Sequence, residues 1–372
     1  MAAASGVTDR ASRLWRRFDG PGRLVGIDLA RGLAVVGMLA AHLLTIDGFV
    51  VDDPATWLDV VNGRSSILFA TLAGVSMALV TGGTRPVTGA DRSRASARLA
   101  LRGALLWVIG ILLVMTGVPV YVILPAYALL FALALPFLGW SARRLLLVAL
   151  ALGLVMPWVQ PVLDAAPIWS GPGGEEIAAL VGWAYPFPVW IVFLLAGLGI
   201  GRLDLRAAPV QVGVLGAGAV LGIVGYAAAA ATASVDDAYL AEVLTAREHS
   251  SGLWEVVGSG GFALAVIGLC LLLCRTPVRW AVVPVRAVGS MPLTAYVLQL
   301  VVWAVVAAVL LHDTSDLAGI RQIDLFAPLT VLLLLGCTVW ALAVGRGPLE
   351  AGIDAVVRRV VDGGARRDGA PR

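Results

Sequence analysis

The sequence predicts an all-α membrane protein, a polytopic bundle of about ten transmembrane helices with both termini cytoplasmic. Three observations carry this. Of 372 residues, 59% are apolar and 14% charged, with a mean hydropathy of +0.91; soluble domains run about 45–50% apolar and about 25% charged. Apolar stretches of about 20 residues, long enough to cross about 30 Å of hydrocarbon, recur from end to end. Arg and acidic residues segregate between alternate connections, as the positive-inside rule requires. This composition excludes a soluble enzyme, a disordered chain and a nucleic-acid binder. The net charge of +3 says little, because all 27 basic residues are Arg and their sidedness matters more than their sum.

The expected spans lie near 24–46, 63–82, 98–117, 119–138, 143–162, 183–201, 208–232, 252–274, 287–311 and 325–345. With both termini inside, the inner segments hold 23 Arg and 8 acids, and the outer connections with adjoining span ends hold 3 Arg and 15 acids. An odd number of spans scrambles this separation. The first apolar run follows Arg10, Arg13, Arg16, Arg17 and Arg23, yet it is long, carries Asp28 and Arg31, and lacks a small-residue cleavage site. It reads as a retained first span rather than a signal peptide. The C-terminal stretch is basic; 349–361 suits a short amphipathic helix on the membrane surface, and the close suits disorder.

Cys270, Cys274 and Cys337 fall inside apolar runs, which favours packing over a disulfide or a metal. Gly213, Gly216, Gly218 and Gly222 lie within a span and read as small-residue helix packing rather than a nucleotide loop. Pro125, Pro136, Pro157, Pro186, Pro188 and Pro292 sit in or beside spans, where each can kink a helix and open a cavity.

Ionisable residues inside a span cost several kcal/mol unless paired or wetted, so each marks a functional hypothesis. Asp28 and Arg31 stand at i, i+3 and can pair. From Arg31 to His42 is about three helical turns, so Asp28, Arg31, Val35, Met38 and His42 share one stripe about 16 Å long from Arg31 to His42. Arg31 falls in the inner half and His42 near the outer face. A cation at one end and a titratable base at the other suit a tunnel across the membrane. A structural ion pair and an interfacial polar residue are the plainer alternative.

The stripe, Asp-x-x-Arg-Gly and then ten residues from Arg31 to His42, resembles the first-helix motif of the transmembrane acyltransferase superfamily. The Arg, ten residues, His spacing is that of the acyltransferase-3 sugar O-acetylases. The Asp-x-x-Arg-Gly opening is similar to heparan-α-glucosaminide N-acetyltransferase-like proteins, whose bacterial branch also resembles Gly63-Arg64-Ser65-Ser66-Ile67-Leu68-Phe69, Leu72-Ala73-Gly74-Val75-Ser76 and Leu124-Pro125-Ala126-Tyr127. Gly289 to Gln299 and Gly347-Pro348-Leu349-Glu350 resemble a YeiB-like membrane family. One departure concerns the base. The lysosomal pattern places a His in the following loop, whereas this chain has none between 43 and 62, so His42 rests on the acyltransferase-3 pattern. The resemblance divides the chain into a basic segment 1–23, an acyltransferase-like catalytic region 24–205, a YeiB-like region 206–348 and a basic tail 349–372.

What the resemblance implies is transfer of an acetyl or other acyl group from cytoplasmic acyl-CoA to a hydroxyl or amine of an extracytoplasmic glycan or small acceptor. The setting is a bacterial plasma membrane, with acetyl-CoA as co-substrate and no metal. The catalytic candidates are Asp28, Arg31, His42 and Arg64. His42 is a general base or is itself acylated. Arg64 stabilises an oxyanion, orients the acceptor, or merely anchors its span at the interface. Arg98, Arg102, Arg143, Arg144 and Arg279 are placed to meet CoA phosphates, which suit the planar guanidinium fork. His249 and Glu255 at the outer edge of one span, and Tyr127 and Gln299 within others, are candidates for the acceptor. Glu255 orients a His, binds a sugar, or is one more solvated charge. Tyr127 and Gln299 line the tunnel or bond helix to helix. The rival reading is a transporter of a sugar or lipid-linked substrate, whose key charges belong at the midplane.

Overall fold

The computed structural model describes residues 12–50 and 52–363. These residues form helices without strands: α1 over 12–19, α2 (Val25–Leu43), α3 (Arg64–Val80), α4 (Gly89–Val114), α5 (Leu124–Ala134), α6 (Ala142–Asp164), the short α7 (Pro167–Ser170) and α8 (Gly174–Val181), α9 (Phe187–Ile200), α10 (Ala208–Ala231), α11 (Ala238–Val243), α12 (Leu253–Leu273), α13 (Val278–Ala281), α14 (Val283–Ser290), α15 (Pro292–Leu310), α16 (Leu317–Gln322), α17 (Phe326–Ala343) and α18 (Pro348–Val357). Among the described residues, eight helical segments are long and apolar enough to cross a membrane. Two expected spans are shorter apolar helices, Leu124–Phe137 and Phe187–Ile200. The 14 residues of α9 reach about 21 Å, short of the hydrocarbon thickness. This helix is buried on nearly every face, so protein rather than lipid surrounds it. The expected span 287–311 is also broken. Met291 leaves the helical region at φ −139°, ψ 58°, and Pro292, which has no N–H to give, starts α15 afresh.

α2 stands at the centre, against α3, α12, α14, α15 and α17. Its approach to α14 needs glycine: a Cβ at Gly289 would lie 1.7 Å from the Asp28 carbonyl oxygen. On the flank, α10 packs on α12 backbone to backbone. Gly218, Gly225, Gly261 and Gly268 make the closest approaches, with Gly222 in looser contact, while Gly213 and Gly216 face open space. Large apolar side chains stand exposed along the outer helices, Ile223 and Val339 among them, as lipid contact demands.

The two ends of the bundle differ in chemistry. At the arginine-rich end, buried Arg202 donates to the carbonyls of Ala78, Thr81 and Leu138, tying the ends of α3, α5 and α9 together. Asp19 pairs with Arg279 and Arg286, fixing α1 on α13 and α14. The helix expected on the membrane surface, α18, folds against α4 and α15 at this same end. Asp354 of α18 pairs with Arg102 and Arg346, and Glu350 accepts from the N–H groups of Leu293 and Thr294 at the start of α15. The expected disordered close, from 364 onward, lies outside the described residues.

Candidate active site

Two cavities open at opposite ends of α2. The first, about 570 Å³, lies at the arginine-rich end. Arg17, Arg23, Arg31, Arg102 and Arg346 line it, and its wall becomes apolar and aromatic at Phe69, Tyr127 and Tyr296. Asp28 is buried at its edge; it accepts from Arg23 at 2.5 Å and from Arg31 at 3.3 Å. Arg31 also donates to Ser76 Oγ at 2.6 Å, which fixes the guanidinium between α2 and α3. The ion pair therefore has three members, and Arg31 keeps a face on the cavity.

The second cavity, about 610 Å³, lies at the acid-rich end. His42, Ser65, Tyr121, Tyr185, His249 and Arg321 are in its wall. The His42 carbonyl, orphaned at the C-terminus of α2, accepts from the Arg321 guanidinium at 3.2 Å and 3.4 Å. Its Nδ1 is buried and has no hydrogen-bond partner among the described residues.

Between the cavities runs a seam of polar groups on α15. Tyr296, Gln299 and Trp303 follow at i, i+3 and i+7, so they share one face. All three are buried. The Tyr296 hydroxyl accepts from the Ile123 N–H at 3.3 Å. Both amide atoms of Gln299, the Trp303 Nε1 and the Tyr127 hydroxyl have no partner among the described residues. The Trp303 ring lies 6.2 Å from that of His42. An unpaired buried donor or acceptor costs about 1–3 kcal/mol, so several along one line mark a path for something polar.

The loop before α12 carries the second imidazole. His249 and Ser251 both sit at φ +57°, a conformation a side chain tolerates only when its surroundings impose it. Glu255, the third residue of α12, imposes it: its carboxylate accepts the N–H of His249 at 2.7 Å and of Ser251 at 2.6 Å. Gly63, at φ +65°, lets this loop settle on the start of α3, where a Cβ would come within 2.7 Å of Glu248. The His249 ring packs between Tyr185 at 5.3 Å and Tyr121 at 6.2 Å, with Trp190 stacked at 6.5 Å. Burial pushes its pKa below the ordinary 6.5, against the opposing pull of Glu248.

The remaining candidates are placed as follows. Arg64 donates to Asp59 and to the Tyr226 hydroxyl at 2.6 Å and is outside the cavity wall. Of the five arginines expected to meet phosphate, Arg102 lines the arginine-rich cavity. Arg98 pairs with Asp362, Arg279 pairs with Asp19 and lies over the Trp280 ring, and Arg143 and Arg144 open α6 away from the cavity. Tyr127 lines the arginine-rich cavity and Gln299 lies in the seam. Arg17, Arg23, Arg346, Trp303 and Tyr185 escaped the sequence reading. The first three converge only through tertiary folding. Trp303 was visible as the next step of the 3–4 spacing begun by Tyr296 and Gln299.

Residues 205–360 match the family described as a protein of unknown function (DUF418). Residues 23–226, more than half of the chain, match the catalytic region of heparan-alpha-glucosaminide N-acetyltransferase. No curated protein matches the chain. The second match takes in α2 with its ion pair and His42, as well as α3 to α9; the first takes in α12, α15 and α18. The structure's multi-pass apolar helices agree with a membrane acetyltransferase, and the chain belongs to the heparan-alpha-glucosaminide N-acetyltransferase catalytic family.

Proposed function

We propose that this protein moves an acetyl group from cytoplasmic acetyl-CoA to a hydroxyl or amine of a sugar or small acceptor on the far side of the plasma membrane. The observation that carries the reading is the pair of cavities at the two ends of α2, joined by buried polar groups without partners. In this reading both termini are cytoplasmic and the arginine-rich cavity is the donor site. Arg17, Arg23, Arg102 and Arg346 suit the phosphates, and the apolar wall beyond them suits the pantetheine arm. Arg31, held by Asp28 and Ser76, marks the start of the seam. The thioester end reaches along the face of Tyr127, Tyr296 and Gln299 toward His42.

His42 is the catalytic group at the acceptor end. It takes the proton of the attacking hydroxyl or amine, or it accepts the acetyl group and passes it on. The sulfur leaves with its electron pair and takes up the proton that the acceptor has lost, so the free thiol withdraws toward the donor cavity and the imidazole is neutral again. Residues 24–205 supply the stripe with Arg102 and Tyr127, residues 206–348 supply Arg346, α15 and the His249 loop, and Arg17 and Arg23 come from the segment before them.

The test is acetyl transfer by purified protein in nanodiscs, with glucosamine as the probe acceptor. Wild type should release CoA and form the acetylated sugar, and His42→Ala should do neither while still folding. Full transfer by a well-folded His42→Ala protein sinks this assignment. A sugar carried across sealed vesicles without acetylation supports the transporter instead.

A further inference from the structure

Glu255 has a surrounding that neither a solvated charge nor a sugar ligand would have. It is 3% exposed, at the N-terminus of α12, and both carboxylate oxygens are occupied by the backbone N–H groups of His249 and Ser251, with the Ser250 hydroxyl at 3.2 Å as well. Those two N–H groups belong to the two residues held at positive φ. The carboxylate is buried behind this loop and is not in the cavity wall. What it fixes is the loop that carries His249 into the wall of the cavity that also holds His42. The His249 Nδ1 is buried with no partner among the described residues, so the ring meets the cavity by its remaining edge. Beside it, Tyr121 and Tyr185 present ring surface in the same wall.

We propose that Glu255 is a positioning residue: it never meets the acceptor, but through the backbone of His249 it holds that imidazole opposite His42, where His249 hydrogen-bonds a hydroxyl or amine of a sugar ring. The aromatic wall takes the apolar face of the ring, and the imidazole and the neighbouring Ser65 and Asn62 take its polar rim. The proposal rests on the transfer reading for the identity of the ligand, but not for the role of Glu255.

Three His in the whole chain make the test direct. Protein labelled with 15N-histidine in nanodiscs gives three pairs of ring-nitrogen signals, assigned by replacing His42, His249 and His312 one at a time. The groups facing His249 are Tyr121, Tyr185, Glu248, Glu255 and His42, with Arg321 beyond His42. Glucosamine should move the His249 and His42 signals and leave His312, at the end of α15, in place. In Glu255→Gln one backbone N–H loses its acceptor, so the ring should loosen into water, titrate nearer the ordinary 6.5, and no longer respond to glucosamine. Glu255→Asp, which keeps the charge, should recover part of the response. In the transfer assay, Glu255→Gln and His249→Ala should each raise the glucosamine KM about two- to tenfold, the worth of one hydrogen bond, and leave acetyl-CoA affinity as in wild type, which also shows that the variants fold.

A His249 signal in Glu255→Gln that titrates and responds as in wild type overturns the positioning role. Transfer to glucosamine with no movement of His249 overturns its contact with the acceptor. Absence of transfer in wild type, with the His249 and Glu255 behaviour as stated, removes the acyltransferase reading and leaves the positioning role standing.

Discussion

The two cavities of this bundle are nearly equal in volume, about 570 and 610 Å³, and opposite in construction. The arginine-rich one gathers its cations from α1, α2, α4 and the stretches flanking α2 and α18, and four of its five arginines are paired, two to each carboxylate: Arg23 and Arg31 to Asp28, Arg102 and Arg346 to Asp354. The positive charge these two carboxylates leave over is there to meet a polyanion, which competes with them for the guanidinium groups. The acid-rich one offers aromatic rings and imidazoles with one carboxylate, Glu248, in its wall, while Arg321 is spent on the His42 carbonyl and Glu255 on the His249 loop. Each of its two imidazoles has a buried Nδ1 with no partner among the described residues. One cavity is thus built around charge, the other around imidazoles and aromatic rings that suit a neutral acceptor.

The largest test of this contrast lies at the acid-rich end. His42→Ala should lower the transfer rate by about 10²- to 10⁴-fold, the range for a lost general acid–base group, with acetyl-CoA affinity unchanged. Next, replacing Arg102 and Arg346 together with Ala should weaken acetyl-CoA binding by about 10- to 100-fold, as one or two charge-assisted hydrogen bonds would, and leave the glucosamine KM in place; isothermal titration and transfer kinetics separate the two effects. A loss of acceptor affinity there would break the division of labour.

The ion pair and His42 were legible because they lie on one helix, where spacing alone puts residues on a common face. The gathering of Arg17 and Arg346 beside Arg102 was not legible. Hydropathy tells which end of a span an arginine occupies, but not which helix faces which. The same limit explains why Arg98 and Arg279, at the expected end, are spent on Asp362 and Asp19. The expected spans over 119–138 and 183–201 ran long because the apolar stretches before α5 and α9 have the hydropathy of helix but are built as bends and turns. The positive φ of His249 left no signal in a non-glycine residue, and its cause, the Glu255 carboxylate, showed only as an acid at the edge of an apolar run.

Smaller effects sharpen the comparison. His249 is useful as a neutral ring, and burial holds its pKa below 6.5, so its contribution to the transfer rate should persist below pH 6.5 and fall away as acid finally protonates it. A rate profile in His249→Gln should lack that part of the acid limb. Asp354→Asn should tighten acetyl-CoA binding by about two- to fivefold, because it frees Arg102 and Arg346 from a partly exposed pairing worth about 1 kcal/mol or less. Weaker binding would mean that Asp354 shapes the site rather than competes for it.

The central claim is that the arginine-rich cavity holds the donor and the acid-rich cavity does not. Equilibrium binding of acetyl-CoA to nanodisc-embedded protein tests it most directly, with free acetate and ATP as controls. The account predicts saturable binding that needs the CoA moiety, kept in His42→Ala and weakened about 10- to 100-fold in the Arg102 and Arg346 double replacement. Absence of binding up to about 1 mM, where the free energy is only about −4 kcal/mol, or binding lost in His42→Ala and kept in the arginine variant, would contradict it.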